Sequence, residues 1–117
     1  MRKEPLVFIK HILDCIESIE QFSEELSKEE FKKNDLKQSA ILRKIEIIGE
    51  AVKNLPDSFR NKHSSAEWKK ITGTRDRLIH QYFGVDLDLM WDVIKKELPK
   101  LKKQTQEILK SLEKNKN

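Results

Sequence analysis

The segment Arg75-Asp76-Arg77-Leu78-Ile79-His80-Gln81-Tyr82 brings an arginine, a carboxylate, an imidazole and a phenol together within eight residues. Histidine titrates near neutral pH and can pass protons to and from oxygen. Arginine stays charged and offers a planar fork that suits a phosphate. One of each beside a phosphodiester is enough to cleave RNA without a metal. The ribose 2′-hydroxyl supplies the nucleophile, His80 relays the proton, and Arg75 stabilises the charge that develops on phosphorus. The alternative is a packing role for the same residues. Arg75 would then pair with a carboxylate from another helix, His80 would sit half-buried in a bundle, and Tyr82 would be an amphipathic packing residue.

The surrounding pattern is helical. At about 100° per residue, Trp68, Ile71, Arg75, Leu78 and Tyr82 fall on one stripe, which predicts a helix over 66–83. Arg75 then occupies a core-facing slot, where a charge must be paired or serve a function. Asp76 and His80 are four residues apart and should stack and hydrogen-bond. Arg75 and His80 are about 140° apart on an ideal helix. Two copies facing each other across a twofold axis would close these groups round one groove, so a homodimer is expected.

Other elements follow from capping and periodicity. Pro5 opens a helix reaching about Leu26, with Ile9, Ile12, Ile16 and Ile19 as its apolar stripe. Ser27-x-x-Glu30 reads as a capping box opening a short turn. Asp35 is expected to cap a helix over 36–55, carrying Ile41, Ile45, Ile48, Val52 and Leu55 and ended by Pro56. Residues 56–65 read as a connector with one helical turn. Ser65 should cap the helix that carries the motif, and Gly84 should close it. Asp86 then caps a last helix whose seam is Leu87, Trp91, Ile94, Leu98, Leu101, Thr105, Ile108 and Leu112, bent at Pro99. The end, Lys114 to Asn117, should fray. No segment alternates with period two. The expected fold is all-α: one domain over 1–117, an antiparallel bundle of four main helices plus short helical turns.

Composition narrows the function classes. Charged residues are 38% and apolar residues 37% of the chain, the balance of a soluble, helix-rich protein. The net charge of +4 is uneven: residues 95–117 hold eight Lys and three Glu, or +5, which leaves −1 elsewhere. Such an end is either a solvated lysine-rich face or a basic surface that draws in nucleic acid. Cys15 is the only cysteine, so no internal disulfide is possible, and a buried inert thiol in a reducing compartment is expected. The apolar run Leu6–Ile9 is too short for a signal peptide, and no stretch could span a membrane, so a cytoplasmic protein is expected. There is no Gly-rich phosphate loop, metal-type Cys/His spacing or Ser-centred elbow. His11, His63 and His80 are far apart, and neither a metal nor a cofactor is expected.

From Trp68 through Arg75, His80, Tyr82 and Gly84 to Asp86, the chain resembles the signature region of the HepT-like branch of the HEPN superfamily. Arg43-Lys44-Ile45-Glu46-Ile47-Ile48-Gly49-Glu50-Ala51-Val52 is similar to that family's second helix. Trp91-Asp92-Val93-Ile94 with Leu98-Pro99-Lys100-Leu101 is similar to its last. The resemblance runs from about Leu6 to Leu109. It implies a helical-bundle homodimer and a metal-independent endoribonuclease, the toxin of a toxin–antitoxin pair. The partner it implies is a minimal nucleotidyltransferase antitoxin, and the substrate is RNA. The family's R-x4-H arginine and histidine match Arg75 and His80, and the polar residue after the arginine matches Asp76. The tyrosine two residues after the histidine matches Tyr82, the residue to which the antitoxin would transfer AMP. Phosphate charge and nucleoside bulk at that point would exclude RNA.

Asp76 has two readings. As an anion it opposes phosphate unless Arg75 or Arg77 neutralises it, and Arg77 is a candidate RNA contact. It could instead hydrogen-bond His80 and orient the ring. Two other functions remain beside the ribonuclease. One is a non-catalytic HEPN subunit that docks a nucleotidyltransferase or a nucleotide. The other is a helical scaffold, which leaves Arg75 on an apolar stripe unexplained.

Overall fold

The isoleucine spacings at the N-terminus set the first helix. In the computed structural model, which describes residues 4–80 and 84–114, Pro5 occupies the first turn of α1 (Pro5–Ser23). Ile9, Ile12, Ile16 and Ile19 are buried on one face. Helix α1 ends at Ser23, three residues earlier than the spacing suggests, with the Ser23 hydroxyl donating to Ile19 O at 2.8 Å. The capping box then opens α2 (Lys28–Lys32): Glu30 N donates to Ser27 Oγ at 3.1 Å and Ser27 N to Glu30 Oε1 at 3.0 Å. Hydrogen bonds from the Ser27 backbone N–H and from the Ser27 side chain hold the Glu30 carboxyl below its ordinary value.

Helix α3 (Asp35–Lys53) is capped by Asn34, whose side chain accepts from Lys37 N at 3.0 Å. The expected cap, Asp35, is its first helical residue instead, where its charge still suits the helix dipole. Lys37 lies over the Phe22 ring and Lys44 acts on Cys15, so α1 and α3 run antiparallel. Burial pushes the Cys15 thiol up despite the nearby Lys44. Helix α4 (Asp57–Lys62) is the expected turn in the connector.

The predicted helix over 66–83 is not continuous. It is split into α5 (Trp68–Thr72) and α6 (Thr74–Leu78) at Gly73, and its N-cap is Glu67 rather than Ser65. Two hydroxyls bond back to the preceding turn: Thr72 Oγ1 to Lys69 O and Thr74 Oγ1 to Lys70 O, both at 2.9 Å. Such bonds compete with the helical ladder and bend it. The chain then leaves the helix at Ile79 and pairs as a hairpin, β1 (Ile79–His80) with β2 (Gly84–Val85). The register is Ile79 opposite Val85 and His80 opposite Gly84. Gly84 has φ +80°, which serves the hairpin and not the helix C-cap that its position in the sequence suggests.

Asp86 caps α7 (Leu87–Asp92) as expected, its side chain accepting from Leu89 N. A π-helical turn, Val93–Glu97, follows, and then α8 (Leu98–Lys114). Pro99 lacks an N–H and crowds the turn before it. The wider turn absorbs this, with Leu98 N reaching back to Val93 O. Thr105, fully buried in the seam, is satisfied by Leu101 O at 2.8 Å.

Contacts between elements fix the remaining directions. Glu46 meets Arg75, and Gly49 approaches Thr72, so α3 runs antiparallel to α5 and α6. Lys70 meets Glu97, Glu67 meets Lys100, and Ser65 O accepts from Gln104, so α8 runs antiparallel to α5. The fold is an all-α, HEPN-like bundle with one two-residue hairpin. No described helix is long and apolar enough to cross a membrane.

Candidate active site at the junction of α6 and the hairpin

The break at Gly73 resets which side of the helix faces inward. Thr74 and Leu78, four apart, are the buried residues of α6. Arg75 is therefore not on the core-facing stripe as expected. It points outward, and its side chain is 49% exposed. It remains tied to the bundle: Nε lies 3.1 Å from Glu46 Oε2 on α3. Its Nη1 lies 3.8 Å from Asp76 Oδ1. Nε is thus paired with Glu46 and Nη1 is flanked by Asp76, while about half of the side chain stays open to solvent.

His80 is also half exposed, at 51% of its side chain. It stands on a strand rather than a helix, so the four-residue spacing from Asp76 no longer brings the two together. The carboxylate beside its ring is Asp86, with Oδ2 3.6 Å from Nε2. Asp76 is largely exposed, and its charged neighbour is Arg75. The angle of about 140° between Arg75 and His80 assumed an unbroken helix. It no longer describes their relation, and the geometric motive for a dimer falls with it.

Arg77 points away from Arg75, as residues two apart on a helix must. Its Nη2 donates to Glu97 Oε1 at 2.9 Å and to Thr74 Oγ1 at 3.2 Å. Lys70 also reaches Glu97, at 3.8 Å. This cluster ties α6 to the π turn of the last helix. Arg77 Nε is buried without a partner among the described residues. Tyr82, with Gln81 and Phe83, lies outside the described residues.

The carboxylates beside Arg75 and His80 carry little signal in the sequence. Glu46 is a charge set among Ile45, Ile47 and Ile48, and that placement is the only sign that it faces something specific. Asp86 is legible as a helix cap, but its second contact depends on the hairpin. Among the described residues, no group of three or more His, Cys, Asp or Glu side chains is gathered as a metal site would be.

Comparison with known proteins gives consistent results. The Ribonuclease HepT-like family matches residues 12–108. A relative from Caldanaerobacter subterraneus subsp. tengcongensis, named "Putative RNase", is 49% identical over 92% of this chain and 96% of its own. A "Probable ribonuclease HepT" from Thermococcus cleftensis is 37% identical over 94% of this chain and all of its own. A "Gamma-glutamylcyclotransferase and putative RNase" from Methanocaldococcus jannaschii is 47% identical over the whole of this chain, which spans 53% of that longer protein. No solved structure gives a significant match. The family match over most of the chain, together with relatives matched over nearly their full length, places this protein in the HepT-like family of the HEPN superfamily.

Proposed function

We propose that this protein is a metal-independent endoribonuclease, the toxin of a toxin–antitoxin pair, with Arg75 and His80 as its catalytic residues. The carrying observation is that both side chains are half exposed, and each stands beside a carboxylate from another part of the bundle, Glu46 or Asp86. The names of its relatives support RNA as substrate. In this reading the RNA 2′-hydroxyl attacks the adjacent phosphorus as His80 takes its proton. The bond to the 5′-oxygen breaks, and His80 passes the proton it took on to that leaving oxygen. The products are a 2′,3′-cyclic phosphate and a 5′-hydroxyl. Arg75 stabilises the charge on the non-bridging oxygens.

Asp76 enters as a flank of Arg75 that substrate phosphate must displace. Arg77 enters as an RNA contact only if phosphate draws it from Glu97. The homodimer and the minimal nucleotidyltransferase antitoxin rest on the family resemblance, as does Tyr82 as AMP acceptor.

The test is incubation of the purified protein with RNA in EDTA, beside an Arg75→Ala, His80→Ala double variant. Cyclic-phosphate ends should form only with the wild-type protein. A substrate carrying 2′-deoxyribose at the scissile position should resist, and its cleavage would refute the mechanism. Equal cleavage by the double variant would refute Arg75 and His80 as the catalytic residues, and none by either protein would leave a non-cutting HEPN binding subunit. A further arm adds a cognate minimal nucleotidyltransferase, with ATP and Mg²⁺. AMP should appear on Tyr82, and Tyr82→Phe should escape silencing.

A further inference from the structure

Asp86 makes two contacts with two different oxygens. Oδ1 accepts from Leu89 N at 3.0 Å and is thereby fixed by the first turn of α7. Oδ2 is left facing His80 Nε2 at 3.6 Å. The hairpin clamps both residues: Asp86 N donates to Leu78 O at 2.7 Å, and Ile79 pairs with Val85 between them. A separation of 3.6 Å is longer than a hydrogen bond. A small ring rotation closes it, and contacts of this kind tighten when substrate binds.

We propose that Asp86 is a positioning residue for His80. Its Oδ2 accepts the Nε2–H, which fixes one tautomer and one ring orientation. An ionised carboxylate only accepts, so the nitrogen that faces it must carry the proton. Nδ1 is then the nitrogen that exchanges a proton with the RNA. This last step rests on the ribonuclease reading, whereas the tautomer rests on the contact alone.

The competing role is a helix cap and nothing more, and Asp86→Asn separates the two. Asparagine caps as well as aspartate does. Its single oxygen is claimed by Leu89 N, which turns the amide NH₂ toward His80. An NH₂ donates, so Nε2 must now accept and the ring proton moves to Nδ1. The cap survives while the tautomer reverses. Asp86→Ser keeps a capping hydroxyl but does not reach the ring.

The experiment uses full-length wild-type, Asp86→Asn and Asp86→Ser proteins labelled with ¹⁵N-histidine, with His80→Ala to assign signals. Long-range ¹H–¹⁵N NMR at alkaline pH, where imidazole is neutral, reads the tautomer. Thermal unfolding reads the cap, and kcat and KM are measured on RNA. The wild-type His80 should be Nε2–H and the Asp86→Asn protein should shift toward Nδ1–H. Both variants should melt with the wild type and lose at least about tenfold in kcat, with KM nearly unchanged. An Asp86→Asn protein that keeps the wild-type tautomer and kcat would overturn the proposal, as would a kcat loss that only tracks a lower melting temperature. If Asp86→Asn fails to fold, the kcat and melting temperature of Asp86→Ser decide the same question. If the wild type cleaves RNA no faster than His80→Ala, the ribonuclease reading fails. The NMR arm still decides the contact, with a single Nε2–H form supporting it and a mixture of tautomers refuting it.

Discussion

Arg75 must be pinned in place yet left available. Its ion pair with Glu46 supplies the first and its exposure the second. A pair this exposed contributes about 0.2–1 kcal/mol to stability. Removing it therefore costs little, because the Glu46 carboxylate left behind can still be hydrated. Arg75→Ala should fold and melt close to wild type. Losing a charge that stabilises the transition state costs roughly 3 kcal/mol, so its kcat should fall by about 10²-fold. Glu46→Gln keeps an oxygen for Arg75 Nε but drops the charge, and it should lose less activity than Arg75→Ala. Circular dichroism melts beside initial rates on RNA separate the effects. If Arg75→Ala unfolds instead, the arginine is a structural pair.

At the scale of elements, the hairpin carries His80 out of the helix, and Gly84 is the residue paired with it. With φ +80°, any other L-residue is strained there. Among the described residues, no atom lies within 4 Å of an added Cβ, so the cost is in the backbone alone. Gly84→Ala should lose about 1 kcal/mol of stability. It should lose proportionally more activity, because the strained residue is paired directly with His80. Gly73 is the control. Its φ of −90° suits alanine, and an added Cβ meets only ordinary contacts, the nearest at 3.5 Å. Gly73→Ala should be neutral or slightly stabilising. Equal effects at both sites, read by melting temperature and kcat, would detach the hairpin from the site.

The same element shows what a sequence reading can reach. The isoleucine stripes and the Ser27–Glu30 box were legible because each is decided within a few residues. The split of the motif helix was not. It depends on threonine hydroxyls turning back on the ladder and on two residues pairing across a gap, which leave no periodic trace. Arg75 and His80 were identifiable by type. Their partners Glu46 and Asp86 were not, because tertiary packing and the hairpin supply those contacts.

Across the whole molecule, the surplus charge at the C-terminal end is partly neutralised. Lys100 meets Glu67, Lys102 meets Glu20, and Lys96 meets Asp92. That weakens α8 as a track for RNA. Arg75 and His80 are held by different elements, so nothing in one copy requires that both act on the same phosphate. If the chain forms a twofold dimer of its 13.9 kDa subunits, one copy's Arg75 can serve the other's His80. Mixing the single variants Arg75→Ala and His80→Ala tests this. Neither alone should cleave. After random subunit exchange, about half the dimers are mixed, and a site built across the interface leaves one of their two sites intact. Roughly a quarter of wild-type activity should then return. A site built within one copy returns none, because no subunit in the mixture carries both residues. Sedimentation at micromolar concentration must first give a species of twice the subunit mass, and a monomer there would exclude any shared site.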